Sequence, residues 1–532
     1  LLFLVGLILR ISLISKGPYH ADTMGLVIAA ERTLETGVLQ RQSPTGYPLT
    51  MIFASMAIYI ARLFSVTNAA LAVNYVSVLF SALAVVSFYY LIQEILAYDN
   101  TIAVNGYSQK QINILSLIGS ILFSVSPIFL GLSVYGKSHI PCMFFLLQGI
   151  LFLFIYFRKN KRSHYILSAV CLGLMGAARI HDLVLMSVSL CFLFFMLYPG
   201  RDPSVSNMNT GHTTLIRTKI KSAAIFSVVT ISTIFFFYAP YFFQGEIGFY
   251  PRGISEYLTF VLTDNFMGLF SIHLPKALGY LVRNFTLPGF LLSIGGYFLL
   301  IVKNKKLFFF LLLWAVCPLF YYGNLYMTLT SRYFVLILPP FIIASVFIVI
   351  RLLRQAGFVR YITYLFLFVV SCTMFIRIYP NLKVRHDEAL TPRFAQWVKS
   401  VTRKDARVIQ ADGAVFISYY GHRQPMRRPT RPLHSNTVGM DELAAFKRQI
   451  DTLLKQNIPV YISSVGLYTY DYEKHFSDYM KANYELKFIG SHPYEGWHGG
   501  AMSQNIVLVD LYRIEKMRKK GSFDTKDEIL EH

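Results

Sequence analysis

Apolar runs close to the length of a membrane span recur along the first 380 residues, at about 1–15, 69–97, 112–134, 140–157, 163–178, 183–198, 221–242, 286–302, 307–325, 333–350 and 359–379. A helix needs roughly 20 residues to cross a bilayer, and somewhat fewer where the bilayer thins or flanking residues snorkel. The pattern predicts about eleven transmembrane helices. Leu1–Leu9 also has the apolar character of a signal-peptide core, but no small-x-small cleavage pattern follows, with Tyr19 and Ala21 flanking His20. It reads as the end of a first span. The chain starts at Leu rather than Met, so a short stretch is expected ahead of it. A further apolar segment, Tyr47–Phe64, carries Arg62 and follows a Pro-Thr-Gly-Tyr-Pro turn. It reads as a helix lying in the membrane interface.

Basic residues set the expected orientation. They cluster at Arg158–Arg162, Arg217–Lys221, Lys303–Lys306 and Arg351–Arg360, after every second span. All four clusters then lie on one side, expected to be cytoplasmic. If Tyr47–Phe64 does not cross, the loop 16–68 shares the outer side with everything after the last span. A second long outer loop is expected at about 243–285.

From Asn381 the chain turns polar and stays so to His532. The expected division is a transmembrane domain, 1–380, and an extracytoplasmic α/β domain, 381–532. Within the latter, Thr391 and Pro392 open a helix to about Ser400. Arg407–Gln410 and Val415–Tyr420 read as extended. Asp441–Gln456 is an amphipathic helix followed by the short apolar run Pro459–Ser463. Asp471–Ala482 reads as helical, and Tyr484–Ile489 and Asn505–Tyr512 as strands. The fold class is an α-helical polytopic membrane protein with interfacial helices in its first outer loop and a C-terminal α/β domain.

Composition agrees. Hydrophobic residues make up 55% of the 532, charged residues only 15%, and mean hydropathy is +0.48, against about 25% charged in a soluble domain. The net charge of +22 fits basic loops facing anionic lipid, not nucleic acid. All five cysteines fall in apolar runs, which excludes a disulfide framework or a cysteine metal site in the polar domain.

Few residues in such a chain are placed for chemistry. Asp22 follows Gly17-Pro18-Tyr19-His20-Ala21 just past the first span, where a carboxylate would meet a membrane-bound substrate and take a proton from an acceptor hydroxyl. Its plainer reading is a helix cap. Glu31 and Glu35 are competitors further along the same helix. Ala178-Arg179-Ile180-His181-Asp182 puts three ionisable groups in an apolar hairpin. They are costly in lipid, so they face a cavity or each other. Arg332, followed by Tyr333, is the strongest phosphate candidate, because a guanidinium grips phosphate oxygens bidentately. His422–Arg431 reads as a basic, Pro-rich loop. His492, Trp497 and His498 lie in a Gly-rich stretch, where Trp497 is a candidate for stacking on a sugar. Asn284-Phe285-Thr286 is formally a glycosylation sequon, abutting a span.

An outer-loop Asp22, a helix, the turn Ser43-Pro44-Thr45-Gly46-Tyr47-Pro48 and an apolar interfacial helix are similar to the start of the polytopic C-type glycosyltransferases, which include protein O-mannosyltransferases and aminoarabinose transferases. Ser331-Arg332-Tyr333 leading into Phe334–Pro340 is a second match, and the membrane–soluble split is a third. The resemblance implies an enzyme that moves a sugar from a polyprenyl-phosphate carrier to a hydroxyl acceptor at the outer face, with inversion, and it maps the catalytic acid onto Asp22. Family members often carry a second acid in the turn between spans three and four. Here that turn reads Tyr135-Gly136-Lys137-Ser138-His139. A divalent metal bridged by two acids is therefore doubtful, and no other cofactor is implied. Lys137 and His139, with Arg179, are expected to join Arg332 and Tyr333 at the donor phosphate. His20, Tyr47, His181 and Asp182 are expected on the acceptor side. The expected partners are the donor, a protein, lipid or glycan acceptor, and membrane lipids.

The competing class is a secondary transporter or lipid flippase. Such proteins commonly show inverted repeats, and none is visible here. They also rarely need an outer α/β domain of this size. The alternating basic loops are testable directly: in intact cells a membrane-impermeant thiol reagent should label Ser400→Cys and not Ser204→Cys. The reverse pattern would invert the orientation.

Overall fold

The computed structural model describes residues 1–19, 21–42, 46–98, 108–197, 212–243, 274–324, 331–355, 357–411, 413–426, 428–429, 439–468, 474–495 and 506–517. By internal contacts, Leu1–Lys16 and Gly25–Asp387 form one compact unit. Gly17–Met24 and the described residues from Glu388 to Met517 form a second.

Every apolar run predicted to span folds as helix. The first unit contains α1 Leu2–Ile11, α2 Ala21–Thr36, α3 Pro48–Leu63, α4 Ala69–Tyr98, α5 Gln109–Val125, α6 Pro127–Ser133, α7 His139–Lys159, α8 Arg162–Ala178 and α9 Ile180–Leu197. It continues with α10 His212–Phe243, α11 Leu274–Lys303, α12 Lys305–Gly323, a 3-10 helix Ser331–Ile337, α13 Leu338–Leu353 and α14 Phe358–Asp387. Among the described residues seven helices are long and apolar enough to cross a membrane, or eight if the pair α5–α6 counts as one span; α1, α3 and α9 are apolar but shorter, and α8 has 17 residues.

Three spans differ from the straight rods the pattern suggests. The run at 112–134 is two helices bent by 65°, because Pro127 cannot continue the hydrogen-bond ladder. A break inside an apolar bundle orphans backbone groups on both sides. Arg10 answers one side: fully buried on α1, its guanidinium donates to Ser124 Oγ at 3.2 Å and to Ser124 O at 3.3 Å. Asn284 answers the other, accepting from Ile128 N at 2.8 Å. Asn284 is completely buried, so the sequon there is unavailable to a glycosylating enzyme. The run at 286–302 is the second part of α11, which starts at Leu274 and kinks at Thr286 (φ 61°). The last span continues through polar residues to Asp387. Close backbone approach is needed where α11 meets α13: a Cβ on Gly296 would lie 1.9 Å from the Ala344 oxygen.

The second unit holds α15 Leu390–Val401, α16 Ala414–Tyr419, α17 Met440–Lys455, α18 Ser464–Tyr468 and α19 His475–Asn483. They accompany a five-stranded sheet ordered β2-β1-β3-β5-β4, with β1 Arg407–Ile409, β2 Gln424–Met426, β3 Val460–Ser463, β4 Tyr484–Glu495 and β5 Ile506–Met517. β1 is parallel to β2 and β3, and β5 is antiparallel to β3 and β4. Ile409, Val460, Ile462 and Ile514 of the sheet share a core with Leu443, Phe446 and Ile450 of α17 and Phe476 and Met480 of α19. Gly17 packs here: a Cβ on it would lie 2.8 Å from Pro392 Cγ.

Val415–Tyr420 is helical, not extended; its β-branched and aromatic residues favour strand only weakly, and burial of Phe416 and Ile417 decides. The helix expected at Asp471–Ala482 is described only from His475. The basic loop at His422–Arg431 is largely structural where described. Arg423 is buried, donating to Thr402 O and Lys399 O at 2.7 Å each. Buried Arg428 donates to Gly466 O at 3.1 Å. His492 stacks on Trp397 at 5.5 Å. Trp497 and His498 lie outside the described residues.

Candidate functional site

The first unit gathers Tyr47, Lys137, His139, Arg179, His181, Asp182, Arg332 and Tyr333 at helix ends. Each is placed by a local break in regular structure. Tyr47 is the N-cap of α3 in the left-handed region (φ 56°), before Pro48. The turn carrying Lys137 is fixed from α4: Asn74 Oδ1 accepts from Gly136 N at 2.7 Å and Ser77 Oγ from Lys137 N at 3.2 Å. Only glycine fits before the lysine, since a Cβ on Gly136 would lie 2.5 Å from Val73 Cγ1. His139 starts α7, Arg179 is the extended residue between α8 and α9, and Arg332 enters on the 3-10 helix.

Asp182 anchors the group. It is 1% exposed. Its Oδ2 accepts from Arg179 Nε at 2.7 Å, and its Oδ1 accepts from the Tyr322 hydroxyl at 2.5 Å. Cys142 Sγ lies 3.5 Å from Oδ2. The rest of the Arg179 guanidinium is also occupied: Nη1 donates to Ser138 Oγ at 3.1 Å and Nη2 lies 2.5 Å from His181 Nε2. Its plane sits 5.5 Å from the centre of the Tyr47 ring, which meets His181 edge-on at 5.9 Å. The hairpin thus holds the self-satisfied Arg179–Asp182 pair that the sequence offered as one of its two readings.

Arg332 reaches the same place by another route. Its Nη2 donates to the Tyr333 hydroxyl at 3.2 Å, and its guanidinium lies 5.0 Å from that ring. Tyr333 stacks on Tyr322 at 4.7 Å and 14°, and stands 5.8 Å from His139. His139, 3% exposed, feels the charges of Arg179, Lys137 and Arg332. Both its ring nitrogens are buried without a hydrogen-bond partner among the described residues. A buried imidazole with unanswered nitrogens costs about 1–3 kcal/mol per group. With Lys137, Arg179 and Arg332 for neighbours, the ligand that suits this imidazole is an anion. Asp182 is not placed to hold a divalent metal. Asp182 is already held by Arg179 and Tyr322, its neighbours are cationic, and among the described residues no group of three or more His, Cys, Asp or Glu could hold an ion.

Asp22 is half-buried in the first turn of α2, inside the helix rather than at its N-cap, and belongs with the second unit. His20 lies outside the described residues. Of the competitors, Glu31 pairs with Arg62 at 3.1 Å. Sequence reasoning missed Tyr322 and Ser138. Tyr322 ends an apolar span, where tyrosines are common for interfacial reasons alone, so its position carried no distinct signal.

Residues 29–202 match the family model for the N-terminal domain of the protein O-mannosyl-transferase TMEM260. No curated protein matches the chain in sequence. In structure the chain is similar to ArnT from Cupriavidus metallidurans bound to undecaprenyl phosphate, with a TM-score of 0.60 at 8% identity over 96% of this chain and 97% of that one. It is also similar to the archaeal oligosaccharyltransferase AglB from Archaeoglobus fulgidus, solved with an inhibitory peptide and a dolichol-phosphate. That TM-score is 0.55 at 12% identity, over 95% and 74% of the two chains. The same oligosaccharyltransferase in complex with Zn and sulfate gives 0.57 at 13%, over 95% and 73%. Identities this low establish fold, and the fold is the one the sequence resemblance implied.

The buried pair gives a stability prediction. Asp182→Asn leaves the Arg179 charge without its carboxylate, and breaking a buried pair costs about 3–5 kcal/mol. The purified variant should lose most of its thermal stability, and Arg179→Gln added to it should restore part. An unchanged unfolding midpoint for Asp182→Asn would show the pair to be solvent-screened.

Proposed function

We propose that this chain, which has the fold of the polytopic C-type glycosyltransferases, moves a sugar from a polyprenyl-phosphate carrier to a hydroxyl acceptor on the extracytoplasmic side of the membrane, with inversion. The observation that carries the reading is that buried His139 feels the charges of Lys137, Arg179 and Arg332, while both its ring nitrogens lack a hydrogen-bond partner among the described residues. The family match over residues 29–202 favours mannose as the sugar and a protein hydroxyl as the acceptor. That two of the structural neighbours were solved with polyprenyl-type phosphates favours the lipid-linked donor. Neighbours that are transferases weigh against a transporter or flippase.

In this reading the acceptor oxygen attacks the anomeric carbon from the face opposite the phosphate. The bond from that carbon to the phosphate oxygen breaks, and its electron pair stays on the phosphate. The donor phosphodiester carries one negative charge and the departing monoester tends towards two. A preset cationic cluster therefore stabilises the departing charge more than the bound donor. Arg332, Tyr333, Lys137, His139 and Arg179 hold the phosphate. Asp22 receives the acceptor's proton, and His20, Tyr47, His181 and Asp182 shape the acceptor side, Asp182 by orienting Arg179. A single displacement inverts the anomeric configuration.

Two variants separate binding from chemistry. Arg332→Ala removes one charge-assisted contact, worth about 1.5–3 kcal/mol, and should weaken polyprenyl-phosphate affinity about ten- to a hundred-fold. Unchanged affinity would remove Arg332 from the site. Asp22→Asn keeps the side chain's shape and gives up a helix-dipole interaction of about 0.3–1 kcal/mol, so it should fold and bind donor normally. Loss of a general base costs on the order of 10²–10⁴ in rate, so transfer should nearly vanish. Transfer close to the wild-type rate would reassign the base, with Glu35 the next acid to test.

A further inference from the structure

The anion cluster is assembled from two segments. One is the Ser138–Asp182 side, where Arg179 is locked to Asp182. The other is the 3-10 helix that brings in Arg332. Tyr322, at the end of α12, touches both: its hydroxyl donates to Asp182 Oδ1, and its ring lies nearly parallel on Tyr333 at 4.7 Å. Tyr333 in turn accepts from Arg332 Nη2 and lies beneath that guanidinium. Tyr322 is 2% exposed, whereas Tyr333 is half-buried. The buried ring is thus fixed at one edge by a hydrogen bond to an ion-paired carboxylate and presents a rigid face to the ring that carries Arg332.

We propose that Tyr322 is a positioning residue for the donor site: it sets where Arg332 stands relative to Arg179 by bridging Asp182 to Tyr333. The inference rests on the phosphate-binding reading of the cluster. Tyr322 itself need not meet the phosphate, and its effect on affinity passes through Tyr333 and Arg332. A stacked pair contributes up to about tenfold in an equilibrium. Groups that act through one another give non-additive double-mutant cycles, while a general loss of stability adds on every background.

The test uses the full chain in nanodiscs, with a polyprenyl monophosphate as the probe, and the variants Tyr322→Phe, Tyr322→Leu, Arg332→Ala and each Tyr322 change combined with Arg332→Ala. Unfolding midpoints are recorded alongside. Tyr322→Leu removes the stack and should weaken binding by roughly tenfold. Tyr322→Phe keeps the stack, loses the anchor and should recover most of that loss. Neither should weaken Arg332→Ala further by more than about twofold. If Arg332→Ala binds normally, the phosphate reading itself fails and this inference with it. If Arg332→Ala binds weakly but Tyr322→Leu lowers affinity by the same factor with and without Arg332, the positioning role alone is overturned. Should Tyr322→Leu not fold, the cycle with Tyr322→Phe decides: about threefold on the wild-type background and none on Arg332→Ala supports the inference, and equal effects on both overturn it.

Discussion

A carboxylate 1% exposed in an apolar helical bundle has to be answered by protein, and here Arg179 and Tyr322 answer Asp182. The desolvation cost of such a pair is offset only if nearly every polar atom finds a partner. That requirement fixes the Arg179 guanidinium on three sides, through Asp182, Ser138 and His181. It also fixes Tyr322, and through the stacked Tyr333 it sets where Arg332 stands. Arg179 and Arg332 are therefore held at set positions by neighbouring side chains.

The same logic operates at the bent helix pair. Stopping α5 and restarting α6 inside the bundle leaves orphan carbonyls and amides that lipid cannot satisfy. Arg10 and Asn284 supply the missing partners from distant helices. The bend leads directly into the turn that carries Lys137, itself pinned by Asn74 and Ser77. A buried arginine and a buried sequon, which look anomalous one at a time, are the cost of delivering a lysine and a histidine to the same end of the bundle as Arg179.

Much of this was legible in the sequence. Apolar length found each of the seven or eight described helices long enough to cross a membrane, while α1, α8 and α9, also expected to span, are shorter. Arg179, Asp182 and Arg332 stood out because charge in an apolar setting is rare. What escaped detection has a physical explanation. Tyr322 and Ser138 are ordinary residues for span ends, and their roles arise from contacts across many residues of sequence. Arg10, inside the first apolar run, was not singled out, yet it is fully buried. Val415–Tyr420 had strand-forming side chains that tertiary packing holds in a helix. Arg423 and Arg428 read as part of a basic, Pro-rich loop because sequence shows charge but not the backbone carbonyls that accept from it.

The central claim is that the Lys137–Arg179–Arg332 cluster is a lipid-phosphate site. A structure determined with a bound polyprenyl phosphate tests it most directly. The account predicts phosphate density within hydrogen-bonding distance of Arg332 and of at least one His139 ring nitrogen, with the Arg179–Asp182 pair intact. Phosphate density elsewhere, with the His139 nitrogens still unanswered, would contradict it.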